Sequence, residues 1–314
     1  MKKWIAGLLF IVTLTILGIY FFIPSKIAIS GASMSRVSIS AAFRMLGTQD
    51  NWEKWWKDSN GKPHVQGEPF TFNGLTFRLS RTGYNAAGIE IKRDGMAIQS
   101  ELVFLSGGKD STWAFWKTSL DAGSNPFDRI KNYKKAVEIS KDLNAVLNNL
   151  KECTSDPRKL YDLTIVRTSF RDTNMLSTRF FTTYYPSTAE IYQKFELLRK
   201  SIHKQKGEIT GYPMLNVREI AKDSFETQVA IPTSHTLQND GLVFYRKMVP
   251  GNFLTANVTG GEYTIKKSMQ QLDFYLKDHG KIQMARPFEQ LFTDRSIEPD
   301  TTKWITRIYL PVVE

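Results

Sequence analysis

The chain opens on a run without a single charge, Trp4 to Ile23. Its roughly twenty residues, at about 1.5 Å each, match a hydrocarbon core about 30 Å thick. Residues 4–23 are therefore predicted to cross a lipid bilayer as one helix. Bulky Tyr20, Phe21, Phe22 and Ile23 lead straight into Pro24, where a cleavable leader needs small residues, so the helix is expected to stay on the protein. Trp4 and Tyr20 fall near its two ends, where rings with one polar edge favour the headgroup region. Lys2 and Lys3 precede the run and only Lys26 follows closely. That bias predicts a single-pass protein with a cytoplasmic N-terminus and everything after the helix on the extracytoplasmic side.

Beyond Pro24 the pattern changes to alternation from Lys26 to about Ser40, which predicts a strand. A helical pattern then covers Ser40 to Lys57 and ends in Asn51-Trp52-Glu53-Lys54-Trp55-Trp56. Strand runs follow at Phe70 to Ser80, Ala86 to Lys92, Met96 to Leu105 and Ser111 to Ser119. They are marked by Asn73-Gly74, Asp94-Gly95 and Gly107-Gly108, the residue pairs that tight hairpin turns demand. Asn125-Pro126 opens a long helix whose stripe is predicted to be Ile130, Tyr133, Val137, Leu143, Val146, Leu147 and Leu150, ending near Cys153 to Pro157. Strand, short helix, antiparallel meander and long helix form an α+β arrangement in which a curved sheet wraps a helix around a cavity.

This first half resembles the START-like superfamily that includes the polyketide cyclases (SRPBCC). The resemblance rests on Pro24-Ser25-Lys26, on the helix running into Asn51-Trp52-Glu53-Lys54-Trp55, and on the long final helix. It implies a helix-grip fold over about residues 26–157 and an apolar cavity for a hydrophobic ligand. Trp52, Trp55 and Trp56 are expected to pack the short helix onto the sheet, with capping of the cavity or contact with the bilayer interface as alternatives.

The second half repeats itself. Phe225-Glu226-Thr227-Gln228-Val229-Ala230-Ile231-Pro232 matches Trp304-Ile305-Thr306-Arg307-Ile308-Tyr309-Leu310-Pro311, with 79 residues between Pro232 and Pro311. Each copy follows an amphipathic helix ending at glycine, Ala189 to Gly207 and Tyr263 to Gly280, and then a strand marked by Pro213 or Pro287. The helices in turn follow β-rich segments, Asp162 to Tyr185 and Val243 to Val258. The unit is a β-α-β-β repeat used twice, and its two copies are expected to pack about a pseudo-twofold axis with a ligand groove where they meet.

The duplication over residues 158–314 looks like the GyrI-like effector-binding domain, found also in AraC-type and MerR-type activators. Gly260-Gly261-Glu262-Tyr263, Tyr275-Leu276-Lys277-Asp278-His279-Gly280 and Ile308-Tyr309-Leu310-Pro311-Val312 carry the likeness. No helix-turn-helix segment accompanies it, so no nucleic-acid partner is expected. In the family a glutamate commonly precedes the final Ile-Tyr-hydrophobic-Pro run and meets cationic ligands. Here Arg307 stands there, and Gln228 holds the matching position of the first repeat. Arg307 either points into the groove, where its donor fork favours a carboxylate or phosphate, or lies on a solvent face. The family template also places Tyr184, Tyr185, Tyr212, Tyr245, Tyr263 and Tyr309 along the groove, and each joins a flat apolar ring to one hydroxyl. Strand alternation sends about half of such residues elsewhere.

Composition adds mostly exclusions. The net charge of +11 comes from basic residues spread through both halves, which suits solubility or attraction to anionic lipid more than a nucleic-acid patch. One cysteine, Cys153, forms no intramolecular disulfide. His64, His203, His235 and His279 have no neighbours at ligand spacing, so no metal is expected, and no cofactor loop or nucleophile elbow is present. Gly107-Gly108 before Lys109 reads as a turn and not a phosphate loop. The chain is thus expected to comprise an anchor (1–25), a START-like domain (26–157) and a GyrI-like domain (158–314). Its expected role is a membrane-tethered, non-catalytic binder of a hydrophobic or amphipathic small molecule. A hydrolase would need Glu226 or Glu262 turned into the groove, and an envelope protein-interaction module would have filled cavities.

Overall fold

The computed structural model describes residues 2–93, 95–108, 110–169, 174–248 and 250–313. Asp94 and Lys109, named above beside hairpin turns, lie outside the described residues. The chain divides into two compact units, Met1–Leu160 and Tyr161–Glu314, each built on an antiparallel sheet.

The first unit begins with α1 (Lys2–Phe22). Its stretch Lys3–Phe22 is long and apolar enough to cross a membrane, and its side chains are not buried against the protein. The end of α1 is tied down by polar contacts. The Tyr20 hydroxyl donates to the Ser124 carbonyl (2.6 Å), Arg129 donates to the Ile23 carbonyl (2.6 Å), and the Arg129 guanidinium lies 4.3 Å from the centre of the Tyr20 ring.

The strands of this unit are β1 (Lys26–Ser35), β2 (Phe70–Phe72), β3 (Leu75–Thr82), β4 (Ala86–Arg93), β5 (Met96–Gly108) and β6 (Ser111–Asp121), in the sheet order β1-β6-β5-β4-β3-β2. The run Phe70 to Ser80 is two strands. Asn73 (φ 50°) and Gly74 (φ 78°) both take the left-handed conformation and fold it into a hairpin. The helical pattern of Ser40 to Lys57 is likewise split, into α2 (Ile39–Arg44) and a 3-10 turn, Gln49–Lys54. The chain leaves the helix after Arg44, and the indole N–H groups of Trp52 and Trp55 reach back to the carbonyls of Leu46 (3.3 Å) and Met45 (2.9 Å). One straight helix cannot make those bonds.

Helix α3 (Pro126–Thr154) starts at Asn125, whose side chain accepts from the Asp128 amide, and packs along the edge strand β1. Asn144 and Ser140 bond the Ala32 amide (3.0 Å) and the Ser30 carbonyl (2.6 Å), so the edge is covered instead of open to another chain. The buried seam of α3 is Ala136, Ile139, Leu143, Val146, Leu147 and Leu150. Ile130, Tyr133 and Val137, placed on that stripe from sequence, are exposed at the surface instead. Periodicity gives the reason, since Val137 precedes Val146 by nine residues and thus lies about 180° around the helix from it. Where the START-like resemblance implies a cavity, Trp52, Trp56, Phe77, Phe104 and Trp116 fill the inner face of the sheet. Trp52 stacks on Trp56 with ring centres 5.4 Å apart, and Trp116 donates to Ser100 (2.9 Å).

A short helix, α4 (Pro157–Tyr161), leads to the second unit. Its first repeat comprises β7 (Val166–Ser169), β8 (Asn174–Thr182), α5 (Thr188–Lys204), β9 (Met214–Ala221) and β10 (Ser224–Pro232). Its second comprises β11 (Phe244–Lys247), β12 (Asn252–Thr259), α6 (Glu262–Asp278), β13 (Ile282–Gln283), β14 (Phe288–Leu291) and β15 (Ile305–Val313). The sheet order β11-β8-β10-β9-β14-β15-β12-β7 is symmetric about the β9–β14 pair. Each repeat gives its first strand to the other, since β7 pairs with β12 and β11 with β8. Ser187 and Glu190 form a reciprocal capping box at α5, whereas Gly261 caps α6 without a side-chain bond.

Candidate functional site

Alternation along β10 and β15 sorts the second unit into two faces. Val229 and Ile231 join Ile191, Phe195 and Leu198 beneath α5, while Ile308, Leu310 and Val312 join Ile265, Leu272 and Leu276 beneath α6. The residues between them turn to the helix-free face. There Ala230, Met175, Met214, Phe253, Phe288 and Tyr309 form a third apolar cluster, with Met248 packed against it.

A half-open groove lies over this cluster. One chamber, of about 130 Å³, is walled by Met175, Met214, Asn216, Gln228, Met248 and Arg286 among others. The second, of about 530 Å³, is walled by Met248, Gly251, Phe253, Met284, Arg286 and Phe288 among others. Met248, Arg286 and Phe288 border both. Its floor is fixed by ring stacking and one hydrogen bond: Tyr309 lies parallel to Phe288 at 4.8 Å, and its hydroxyl donates to Gln290 (3.0 Å). Methionine suits such a wall, because an unbranched thioether side chain repacks around ligands of different shape.

Beside the groove, cross-strand register sets basic residues around one acid. Glu226 pairs with Arg218 across β9, and Arg179 faces the neighbouring Gln228 across β8. Glu226 is 8% exposed. Its Oε2 accepts from Arg218 (2.9 Å) and from Arg286 (3.0 Å), and Arg179 stands 3.8 Å from Oε1. Three guanidinium groups thus meet one carboxylate. Among the described lining residues of both chambers, Arg286 is the one that carries charge.

A second concavity, of about 600 Å³, lies on the helix side where α5 and α6 begin, bordered by Tyr185, Glu262, Tyr263, Arg295 and several threonines. Burial, helped by nearby Glu289 and Glu262, pushes the Tyr185 phenol above its ordinary range. Below it, Arg295 pairs with Glu289 at 3.1 Å, with side chains 9% and 5% exposed. Burial raises the Glu289 carboxyl above its usual range although Arg295 acts in the opposite direction. Arg295 also donates to Thr306 (2.7 Å) and lies over the Trp304 ring. This cleft, at the starts of both helices, is lined by more hydroxyl and charged side chains than the groove.

The eight residues proposed from sequence are distributed over several places. Gln228 lines the groove, and Tyr309 is buried in the apolar cluster and lines neither chamber. Arg307 is on the groove face of β15, but its Nε donates to Asn257 (2.7 Å) and its guanidinium covers Phe292, against which Tyr212 stacks at 4.2 Å. Tyr185 and Tyr263 border the helix-end cleft. Tyr184 donates to Glu190 at the start of α5, and Tyr245 packs into the core beneath α5 with its hydroxyl on Asn174 (2.7 Å). Of the two acids weighed for catalysis, Glu262 is partly buried at the border of the helix-end cleft and paired with Lys266, and Glu226 faces the groove side within its arginine cluster. The residues the sequence did not bring out are Arg286, Asn216, Arg218 and the four methionines Met175, Met214, Met248 and Met284. The Lys222-Asp223 turn marks the β9–β10 hairpin, but it is the register shift between Ser224 and Phe225 that sets Arg218 opposite Glu226, and that shift has no signal in the sequence pattern.

No protein-family model matches the sequence, and no curated protein sequence matches it. Solved structures with partial likeness include the EcmrR C-terminal domain, 14% identical with a TM-score of 0.42 over 48% of this chain and 98% of that one. SAV2435 bound to tetraphenylphosphonium is 13% identical with a TM-score of 0.30, over 48% and 93%. The Aha1 dimer from Colwellia psychrerythraea is 15% identical with a TM-score of 0.31, over 41% and 96%.

Proposed function

We propose that this protein is a membrane-tethered, non-catalytic binder of a small amphipathic molecule, and that the ligand lies in the groove on the helix-free face of the second unit. The observation that carries the proposal is the groove wall itself. Methionine and phenylalanine side chains border a space of the size that small-molecule sites use, with a few convergent polar groups, Asn216, Gln228 and Arg286. The apolar length of α1 supports tethering, with residues 4–23 in a bilayer and the lysines before them setting the N-terminus in the cytoplasm. The first unit, with indoles and phenyl rings packed on the inner face of its sheet, follows the anchor in the chain and carries no ligand in this reading. The duplicated second unit is the GyrI-like effector-binding part.

Native mass spectrometry of the full chain against a library of amphiphiles tests the binding role. A retained ligand that Met248→Ala or Phe288→Ala weakens is the expected result, and no retained ligand across the library refutes it. Deleting residues 1–25 is expected to move the protein from the membrane to the soluble fraction. A deleted form that stays with the membrane refutes tethering by α1.

The burial of Glu226 on the groove face favours a second possibility, a hydrolase of small reactive compounds. Its carboxylate would have to leave Arg218 and Arg286 to activate water. Turnover of reactive esters that Glu226→Gln abolishes is the result that would establish it.

A further inference from the structure

Resting on the groove as the ligand site, we infer that it selects anionic amphiphiles, with Arg286 receiving a carboxylate or phosphate head and the methionine-lined chamber receiving the apolar tail. Three observations converge on this sign of charge. Arg286 is the charged residue among the described lining of both chambers, and it stands where they join. It belongs to a cluster in which Arg179, Arg218 and Arg286 face the single carboxylate of Glu226, which leaves about two positive charges uncompensated within the cluster. Gln228 and Asn216, paired across β10 and β9, supply neutral amide groups beside Arg286, where a second acid would have cancelled that charge.

The arrangement also separates the two tasks. Glu226 holds the Arg286 guanidinium through one N–H, at 3.0 Å. A guanidinium has five donors in a planar fork, so its orientation is set while further donors remain for a ligand. The Arg286 side chain is half exposed, so an incoming head group need not expel a fully buried charge. A cationic ligand would meet the same surplus as repulsion. The head-group chemistry is shared by free fatty acids and by single-chain phospholipids, and the two sources are separated in the test.

The test uses the full chain in nanodiscs and calorimetric titration with octanoate, octyl phosphate, octanol and octyltrimethylammonium, each corrected against empty nanodiscs. Octanoate or octyl phosphate is expected to bind about tenfold or more tightly than octanol, the size of one charge-assisted hydrogen bond, and the ammonium is expected to bind most weakly. A preference for octyl phosphate points to a lipid head group, and a preference for octanoate to a free acid. Arg286→Gln is expected to remove the preference, costing the anions about tenfold more affinity than it costs octanol, and Arg286→Lys to keep part of it. Glu226→Gln removes the competing acid and is expected to tighten octanoate severalfold relative to octanol. Binding in which octanol or the ammonium equals the anions overturns the charge selectivity and leaves the groove as a ligand site. The selectivity is overturned in the same way if Arg286→Gln and Arg286→Lys both bind octanoate as the parent does, or if Glu226→Gln weakens every probe alike. Failure of all four probes removes the groove as a ligand site, and the selectivity with it.

Discussion

The ion pair between Glu289 and Arg295 gives the sharpest test of how the second unit is held together. Arg295 lies in the link from β14 to β15 and reaches back to the central strand carrying Glu289. Both side chains are nearly out of solvent, at 5% and 9% exposure. Removing one partner of such a pair costs about 3–5 kcal/mol, because the other charge stays buried without compensation. The two halves of the pair differ in what they can do when left alone. An arginine cannot shed its proton, so Glu289→Gln is expected to lose about 3 kcal/mol near pH 5, a loss that shrinks toward pH 8 as the parent itself loses stability. A carboxyl can take a proton, and burial already raises that of Glu289 above its ordinary 4.5. An acid whose folded-state pKa is raised binds protons more tightly when folded, so its stability falls as pH rises above that ordinary value. Arg295→Met removes the opposing influence, so its loss is expected to be small near pH 5 and to grow toward pH 8. Trp304 sits against Arg295, and a 5-fluorotryptophan resonance there reports unfolding of this unit in urea. A Glu289→Gln protein within about 1 kcal/mol of the parent near pH 5, or an Arg295→Met protein with no pH trend, would refute the account.

Three further outcomes follow from the first unit. Asp142 is buried on α3, where Asn73 donates to Oδ1, Oδ2 has no hydrogen bond among the described residues, and burial raises the carboxyl. Asp142→Asn should therefore gain about 1 kcal/mol at pH 7, and the gain should shrink as pH falls toward the ordinary value of 3.8; urea midpoints at pH 4 and pH 7 check this. Trp52 is fully buried and stacked on Trp56, so Trp52→Ala should cost about 3–5 kcal/mol by thermal melting. A side chain at Gly31 would start 3.2 Å from the Leu143 Cβ and 3.3 Å from the Asn144 amide, so Gly31→Val should lose about 1–3 kcal/mol in urea titration by driving α3 off β1.

What the sequence revealed depended on how local each cause was. Asn73-Gly74 and Asn125-Pro126 act within a few residues, and the turn and the helix start lie where they indicate. The duplication was legible because strands β10 and β15 repeat their residue types in step. Helix α3 was harder, since its first turns carry apolar side chains on a face the sheet does not cover. The split after Arg44 goes with two indoles bonding backward, a tertiary effect with no signature in periodicity. The groove was least legible of all. Gln228 and Tyr309 stand out through the repeat, but Arg286, Met248 and Met175 come from segments far apart in the chain, and only the sheet order brings them to one face. Alternation shows that Glu226 and Gln228 share a side of β10 without showing what covers that side.

The strand exchange between the repeats has a consequence for how this unit came to be one piece. Each half keeps its helix and its matched strands but gives β7 or β11 to the other half. A break in the link between β10 and β11 would leave two fragments, each completing its sheet edge only with a strand from the other. They would behave as halves that reassemble, and the covalent link makes that assembly independent of concentration. Such an arrangement is what the fusion of two copies of a strand-swapped ancestor would leave behind. Gln228 and Arg307 hold the matching positions of the two repeats, and in the joined unit one lines the groove while the other is engaged by Asn257.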